Sequence, residues 1–257
     1  MTRVAVTRGV SPAIVRCELV HLARSPIDVA AAGRQHRGYV DALQTLGCRV
    51  QELPADPELA DSVFVEDTAV VLDEVAVITR PGAPSRRPEA GPIALALAPY
   101  RPLVRIESPG TVDGGDVLRI GRTLYVGLSG RSNQAAIDQL AAALAPYRYD
   151  VRGVAVSGCL HLKSAVTTIG DDTVLVDPEW VDPAVFSGTR AIAIDPRERG
   201  AANALRIGER VIYPASFPAT RRRLEAAGVD VVEVDVSELQ KAEGAVTCCS
   251  LVFEVQS

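Results

Sequence analysis

Apolar and polar residues alternate along Arg3 to Thr7 with the two-residue period of a strand. From Ser11 to Arg24 the pattern turns irregular and is punctuated by Pro12 and Pro26, which predicts a loop carrying one helical turn. Asp28 to Leu46 has helical spacing, with Asp28 placed as an N-cap and Gly47 as the stop, and CRVQEL then reads as a strand. Beyond this point one pattern recurs. TAVVL and VAVITR flank a turn at Asp73-Glu74, Pro84 to Ala98 reads as a helix, and LVRIES as a strand. A second unit starts after Gly115 with DVLRI, turns at Gly121-Arg122 into TLYVGL, and continues with a helix at Ser132 to Leu144 and the strand YDVRGVAV. A third has AVTTI, a turn at Gly170-Asp171, TVLV, a short helix and RAIAID. The fourth has ALRI, a turn at Gly208-Glu209, RVIYP, a helix at Ser216 to Ala227 and VDVVEV. Each unit reads strand, strand, helix, strand.

A fifth unit, CSLVFEV, has only one strand. Its partner stands at the other end of the chain, where VAVTRGVSPA resembles VAVITRPGAPS at residues 75 to 85, so the N-terminal strand completes the last unit and closes a ring. The residues just ahead of each first strand are Asp67, Asp113, His161, Asn203 and Cys248, spaced 46, 48, 42 and 45 residues apart. A repeat of that length marks a propeller or solenoid, and closure favours a five-bladed α/β propeller of ββαβ units within a single domain, residues 1–257. The competing reading is an ordinary α/β sheet whose elements alternate by chance.

At 257 residues and 47% hydrophobic content the chain supports a substantial core. Its longest uncharged runs fall short of the roughly 18 to 20 apolar residues that span a bilayer, and MTRVAVTRG starts directly as a strand, so neither a membrane segment nor a signal peptide is expected. Five cysteines without a CxxC pair make neither a disulfide framework nor a zinc ribbon, which predicts a cytoplasmic protein. The net charge of −5 argues against nucleic-acid binding and is compatible with a small cationic substrate. Cys17, Cys48, Cys159 and Cys249 read as core residues, and His21 and His36 as surface or helix-packing residues.

If the ring closes, equivalent strand starts face one axis and bring together two carboxylates, a histidine and a thiol. In the run QKAEGAVTCCSLVF the Glu243-Gly244 turn puts Cys248 at the mouth of a strand. A thiolate is a nucleophile, a nearby histidine serves as general acid and base, and flanking carboxylates match the planar donor edges of a guanidinium. The combination points to cysteine attack on a guanidinium carbon. A zinc site built from Cys159, His161 and Cys248 matches no structural spacing.

FVEDTAVV (64–71), RPGAPSRR (80–87), DGGDVL (113–118), YVGLSGRSNQ (125–134), HLKS (161–164) and TCCS (247–250) resemble the dimethylarginine dimethylaminohydrolases, in that family's order across nearly the whole chain. The resemblance implies the pentein fold, a five-bladed α/β propeller. It also implies hydrolysis of Nω-monomethyl- and Nω,Nω-dimethyl-L-arginine to L-citrulline and an amine, with no metal or organic cofactor. It assigns Cys248 as nucleophile and His161 as general acid and base. Asp67 and Asp113 hold the guanidinium, with Glu66 close by. Arg86 and Arg131, with Asp61, clamp the amino-acid end, and the carbonyls of Leu19 and Ala242 receive the α-amine. The expected partner is a small cationic amino acid, bound by a monomer or homodimer. Alternatives are an arginine deiminase-like enzyme, whose relatives look longer, and a non-catalytic pentein resembling the ribosome anti-association factor, which lacks the cysteine, histidine and acid set. Residues about 8 to 28 are expected to form a lid.

Overall fold

β1 (Thr2–Arg8) and β2 (Cys48–Leu53) flank α1 (Val29–Thr45) and pair in parallel in the computed structural model, which describes residues 1–256. Asp28 caps α1 by accepting the Ala31 N–H, and Gly47, at φ +86°, ends it as its position predicts. The predicted loop holds a 3-10 turn, Pro12–Arg16, capped by Ser11. β3 (Ala69–Val71) and β4 (Ala76–Ile78) form a hairpin that continues through α2 (Ala90–Leu97) to β5 (Leu103–Arg105). The helix expected over Pro84 to Ala98 starts as a 3-10 segment, Pro84–Glu89; Pro88 lacks the N–H that an α-helix would need there.

The next blade is β6 (Val117–Ile120), β7 (Thr123–Leu128), α3 (Gln134–Leu144) and β8 (Asp150–Ala155), with Asn133 capping the helix. The single turn α4 (Leu162–Ala165) precedes β9 (Val166–Thr168), β10 (Thr173–Val176) and β11 (Arg190–Ala193). The helix expected in this unit is reduced to a 3-10 turn at Pro183–Val185. β12 (Leu205–Ile207), β13 (Arg210–Pro214), α5 (Pro218–Ala226) and β14 (Asp230–Val234) complete the fourth repeat, and α6 (Ser237–Gln240) leads to β15 (Leu251–Val255).

These strands form five separate three-stranded sheets, each with one antiparallel and one parallel pairing. β15 lies antiparallel to β1, with Thr2 opposite Val255 and Val6 opposite Leu251, so the first strand completes the last blade. The architecture is therefore a five-bladed propeller, and a single continuous sheet is ruled out.

Apolar clusters fill every seam between neighbouring blades. Val4, Val6, Leu251 and Phe253 meet Ala69 and Ile78 in one, and Val77 meets Val117 and Val126 in the next. Tyr125 and Leu118 pack on Val174 and Val176, and Leu175 packs on Val211 and Tyr213. The last seam joins Ile207, Ile212 and Val234 to Ala5, Tyr39 and Cys249. Each fully buried aliphatic side chain contributes about 1.5–3 kcal/mol. Because each seam needs its two blades at a fixed angle, this packing also holds the ends of the innermost strands together at the axis.

Candidate active site

A short turn stands just ahead of the inner strand in four of the five blades, and it carries the functional side chains. Asp67 lies on the 3-10 turn Val65–Thr68, Asp113 precedes the 3-10 turn Gly114–Asp116, and His161 precedes α4. Cys248 sits in the turn before β15. The repeat therefore brings together what the spacing predicts: one oxygen each of Asp67 and Asp113 and one ring nitrogen of His161 lie within 4.8 Å of one another. Glycine is required at Gly115, where a Cβ would stand 2.6 Å from His161 Nδ1 and 2.8 Å from Asp67 Oδ1.

His161 Nε2 is 3.0 Å from Asp113 Oδ2, and its Nδ1 is 3.8 Å from Asp67 Oδ1. The other Asp113 oxygen accepts the Gly82 N–H at 2.8 Å. This corrects the role expected for Asp113. Fully buried, with both oxygens engaged by the protein, it orients His161, and Asp67 is the carboxylate that lines the cavity. Behind the histidine, Asp116 accepts the hydroxyls of Ser129 and Ser132 and the Leu162 N–H, so it fixes the turn that carries His161. Burial works against the imidazolium, but Asp67, the Asp113 hydrogen bond and Asp116 outweigh it and hold His161 up at about 9.

Arg86 also differs from expectation. Its guanidinium is buried and committed to the protein: it donates to Asp67, to Glu89 and to the carbonyls of Asp61 and Phe64. It lines the cavity, yet its main partners are the two carboxylates. Burial would raise the Asp67 carboxyl, but His161 and Arg86 bring it down to about 2, whereas burial lifts Glu89 to about 7 despite Arg86. The Asp67, Asp113 and His161 cluster resembles a metal-ligand set in spacing. Its ligand atoms are taken up by Gly115, Gly82, one another and the Arg86 cation, an arrangement suited to an organic cation more than to a metal ion.

Cys248 is half-buried and faces the same cavity as Asp67 and His161. Burial, then the Glu66 and Asp67 carboxylates, push its thiol well above the ordinary range, so the resting sulfur is protonated. Glu66 lies behind this turn. Its N–H donates to the Cys248 carbonyl, and its carboxylate accepts from Lys163 Nζ and Thr247 Oγ1, both at 2.7 Å. It borders a second cavity, of about 550 Å³, that extends to the hairpin turns at Asp73, Asp171 and Glu209. That larger space holds none of the thiol, imidazole or Asp67. The small cavity of about 20 Å³ that they line is the candidate reaction chamber. Asn203, the remaining strand-start residue, braces the cysteine turn by bonding Thr247 through both amide atoms.

The opposite wall carries the residues expected at the amino-acid end. Arg131 is buried, and its Nη1 has no partner among the described residues. Asp61 accepts the Glu18 N–H through both oxygens, and burial raises its pKa. Ala242 lines the chamber, and Leu19 packs against the cluster that includes Cys248. Sequence reasoning missed Glu18, Phe64, Leu160 and Glu243, which also line it, together with the supporting Glu89 and Asp116. Of these, only Asp116, the second acid of DGGD, carried a readable signal. The Cys159 thiol donates to the His161 carbonyl and packs with Leu162 and Val181, away from the cluster around Cys248, so the zinc reading has no shared centre.

Comparison with known proteins agrees with this geometry. The family model described as arginine deiminase matches residues 55–199. An N(G),N(G)-dimethylarginine dimethylaminohydrolase of Streptomyces coelicolor is 43% identical over 249 residues, 96% of this chain and 95% of that protein. Its namesake from Pseudomonas aeruginosa is 39% identical over 228 residues, 88% of this chain and 90% of that one. The solved structure of a Pseudomonas aeruginosa dimethylarginine dimethylaminohydrolase, a Cys-to-Ser variant complexed with citrulline, superposes with a TM-score of 0.94. It is 36% identical, covering 98% of this chain and all of that one. Five closed blades, a thiol facing an imidazolium and two carboxylates, and identity sustained across nearly the whole length place this chain in the arginine deiminase family, among the dimethylarginine dimethylaminohydrolases.

Proposed function

We propose that this protein hydrolyses Nω,Nω-dimethyl-L-arginine and Nω-monomethyl-L-arginine to L-citrulline and dimethylamine or methylamine, the whole chain acting as one catalytic domain. The observation that carries the reading is one chamber lined by a neutral thiol, an imidazolium and an ionised carboxylate. Asp67 retains lone pairs beyond those taken by Gly115 and Arg86, and it receives the guanidinium edge. That cation, set beside Cys248, offsets the Glu66 and Asp67 charges that keep the thiol protonated, so the substrate generates its own nucleophile.

As the substrate cation binds, the Cys248 thiol releases its proton to water, and the thiolate forms a C–S bond to the guanidinium carbon. The His161 imidazolium passes a proton to the departing nitrogen as the C–N bond breaks, leaving a cationic S-alkylthiouronium. The neutral imidazole then takes a proton from water and the hydroxide oxygen adds to the same carbon; the C–S bond breaks with its electron pair on sulfur, the new hydroxyl's proton passes to that thiolate, and citrulline leaves. Each step uses only this chain's groups and water. At the far end, Arg131 receives the carboxylate through its unpartnered nitrogen, and Asp61 with the Leu19 and Ala242 carbonyls receives the α-amine. All five cysteines are free thiols, which supports a reducing, cytoplasmic setting, and no described helix is long and apolar enough to cross a membrane.

The test is citrulline release from dimethylarginine, monomethylarginine and arginine side by side, with Cys248→Ser as control. Turnover of the methylated substrates that is lost in the variant is expected. Preference for arginine would instead favour the deiminase reading.

A further inference from the structure

The Glu243 backbone lies in the left-handed region, at φ +58°, and Glu243 is one of only two non-glycine residues with positive φ among the described residues. It occupies the position after α6 where glycine normally ends a helix. The Gly244 N–H donates to the Leu239 carbonyl and the Glu243 N–H to the Gln240 carbonyl, the paired bonds of a glycine-type C-cap. A Cβ there is strained, and strain of this kind marks a side chain retained for a purpose.

Its carboxylate collects three consecutive backbone N–H groups from the loop between β1 and α1. Val20 N lies 3.1 Å from both oxygens, and His21 N and Leu22 N each lie 2.6 Å from Oε1. Successive N–H groups turned inward form an anion-binding nest, and here the anion is a side chain of the same molecule. The same loop is tied to the α6 region at two further points, Lys241 Nζ to the Pro26 carbonyl and Asp28 N to Glu238 Oε2. Before Leu19 the segment is anchored at Glu18, whose N–H donates to Asp61 and whose carboxylate accepts from Ser85; after Leu19 its three amides go to Glu243. The chamber beneath it, about 20 Å³, holds on the order of one water. An amino acid the size of arginine cannot enter until the loop lifts.

We infer that Glu243 is a positioning residue: its carboxylate clasps the loop over the bound amino acid and sets the Leu19 and Ala242 carbonyls at the α-amine. The inference rests on the methylarginine hydrolase reading for the identity of the ligand. The clasp itself is read independently of turnover.

The decisive comparison is wild type against Glu243→Gly and Glu243→Gln. Glu243→Gly relieves the left-handed strain, so its melting temperature is expected to hold or rise, while amide exchange at Val20, His21 and Leu22 accelerates. If the closed loop falls to about a tenth of its population, KM for dimethylarginine rises about tenfold with kcat held within about twofold. Glu243→Gln keeps one acceptor oxygen and falls between the two. Unchanged exchange at the three amides, or an unchanged KM, overturns the inference. So does a fall in melting temperature with kcat and KM lost together, because that marks an ordinary structural residue. A wild-type protein that leaves methylarginines untouched but shows the exchange difference would sink the substrate reading and leave the clasp standing.

Discussion

His161 draws its high proton affinity from Asp67, Asp113 and Asp116 against the opposing effect of burial, and this governs both activity and stability as pH rises. In the proposed mechanism the free enzyme uses the imidazolium as acid, so kcat/KM is expected to fall as pH rises through about 9, read from an alkaline pH-rate profile. The same group titrates at about 6.5 when unfolded. Its contribution to stability is therefore complete below that pH and is lost as pH rises through about 9, with Cys248 adding to the loss at the top of the range. Thermal melts of the wild type between pH 6 and 10 should show this decline, and a His161→Gln variant a shallower one. Replacing Asp113 by Asn keeps the shape of the side chain but removes the charge that orients and protonates His161. A loss of kcat on the order of 10²-fold or more is expected from steady-state assays. The placement of Cys248 and His161 on one chamber was legible in TCCS and HLKS because residue type and repeat position agreed. The division of labour between Asp67 and Asp113 was not, since spacing places a Cα at the axis without saying which way its carboxylate turns.

At the scale of elements, the 3-10 segment Pro84–Glu89 acts as a holder for Arg86, which stands between Asp67 and Glu89. Removing that cation strands two buried carboxylates. Arg86→Ala is expected to destabilise the fold by about 3–5 kcal/mol in denaturant unfolding, and Arg86→Lys rescues only part of this because an ammonium lacks the planar fork. The sequence predicts a helix here and an arginine that clamps the amino-acid end of the substrate. Pro88 blocked the first, and Glu89, with no motif to announce it, turned the arginine inward. The reduced helix before β11 has a different origin. The stretch from Asp182 to Gly188 is too short for more than one turn, and Gly188, at φ +85°, breaks any continuation. By contrast, α1 was readable to within a residue because Asp28 and Gly47 are strong local signals at its two ends. Asp28→Ala should cost about 1 kcal/mol in the same unfolding assay.

The molecule as a whole is a ring whose seam is a strand pair, β15 with β1, that brings Thr2 opposite Val255. Closure was visible in the likeness between VAVTRGVSPA and VAVITRPGAPS, since a repeat with a missing strand has only one place to find it. The angles between blades were not visible, because they depend on how side chains such as Tyr125 and Phe186 interlock at the seams. A circular permutant that links the old ends and opens the exposed turn at Asp171-Asp172 should keep every blade pairing. It is expected to fold and to release citrulline from dimethylarginine at a rate close to that of the parent, as measured in the same assay.

The protonated state of Cys248 at rest has a bearing on durability. Peroxides and other oxidants consume thiolates and largely spare thiols. The burial and the neighbouring acids that make this sulfur a poor nucleophile in the empty chamber also act as its preservative, and Cys249 and the other three cysteines are buried. The protein is thus stored with its one addressable sulfur disarmed. In the proposed mechanism a cation that fits the chamber arms it, whether that cation is a substrate to be turned over or an electrophile that will not leave.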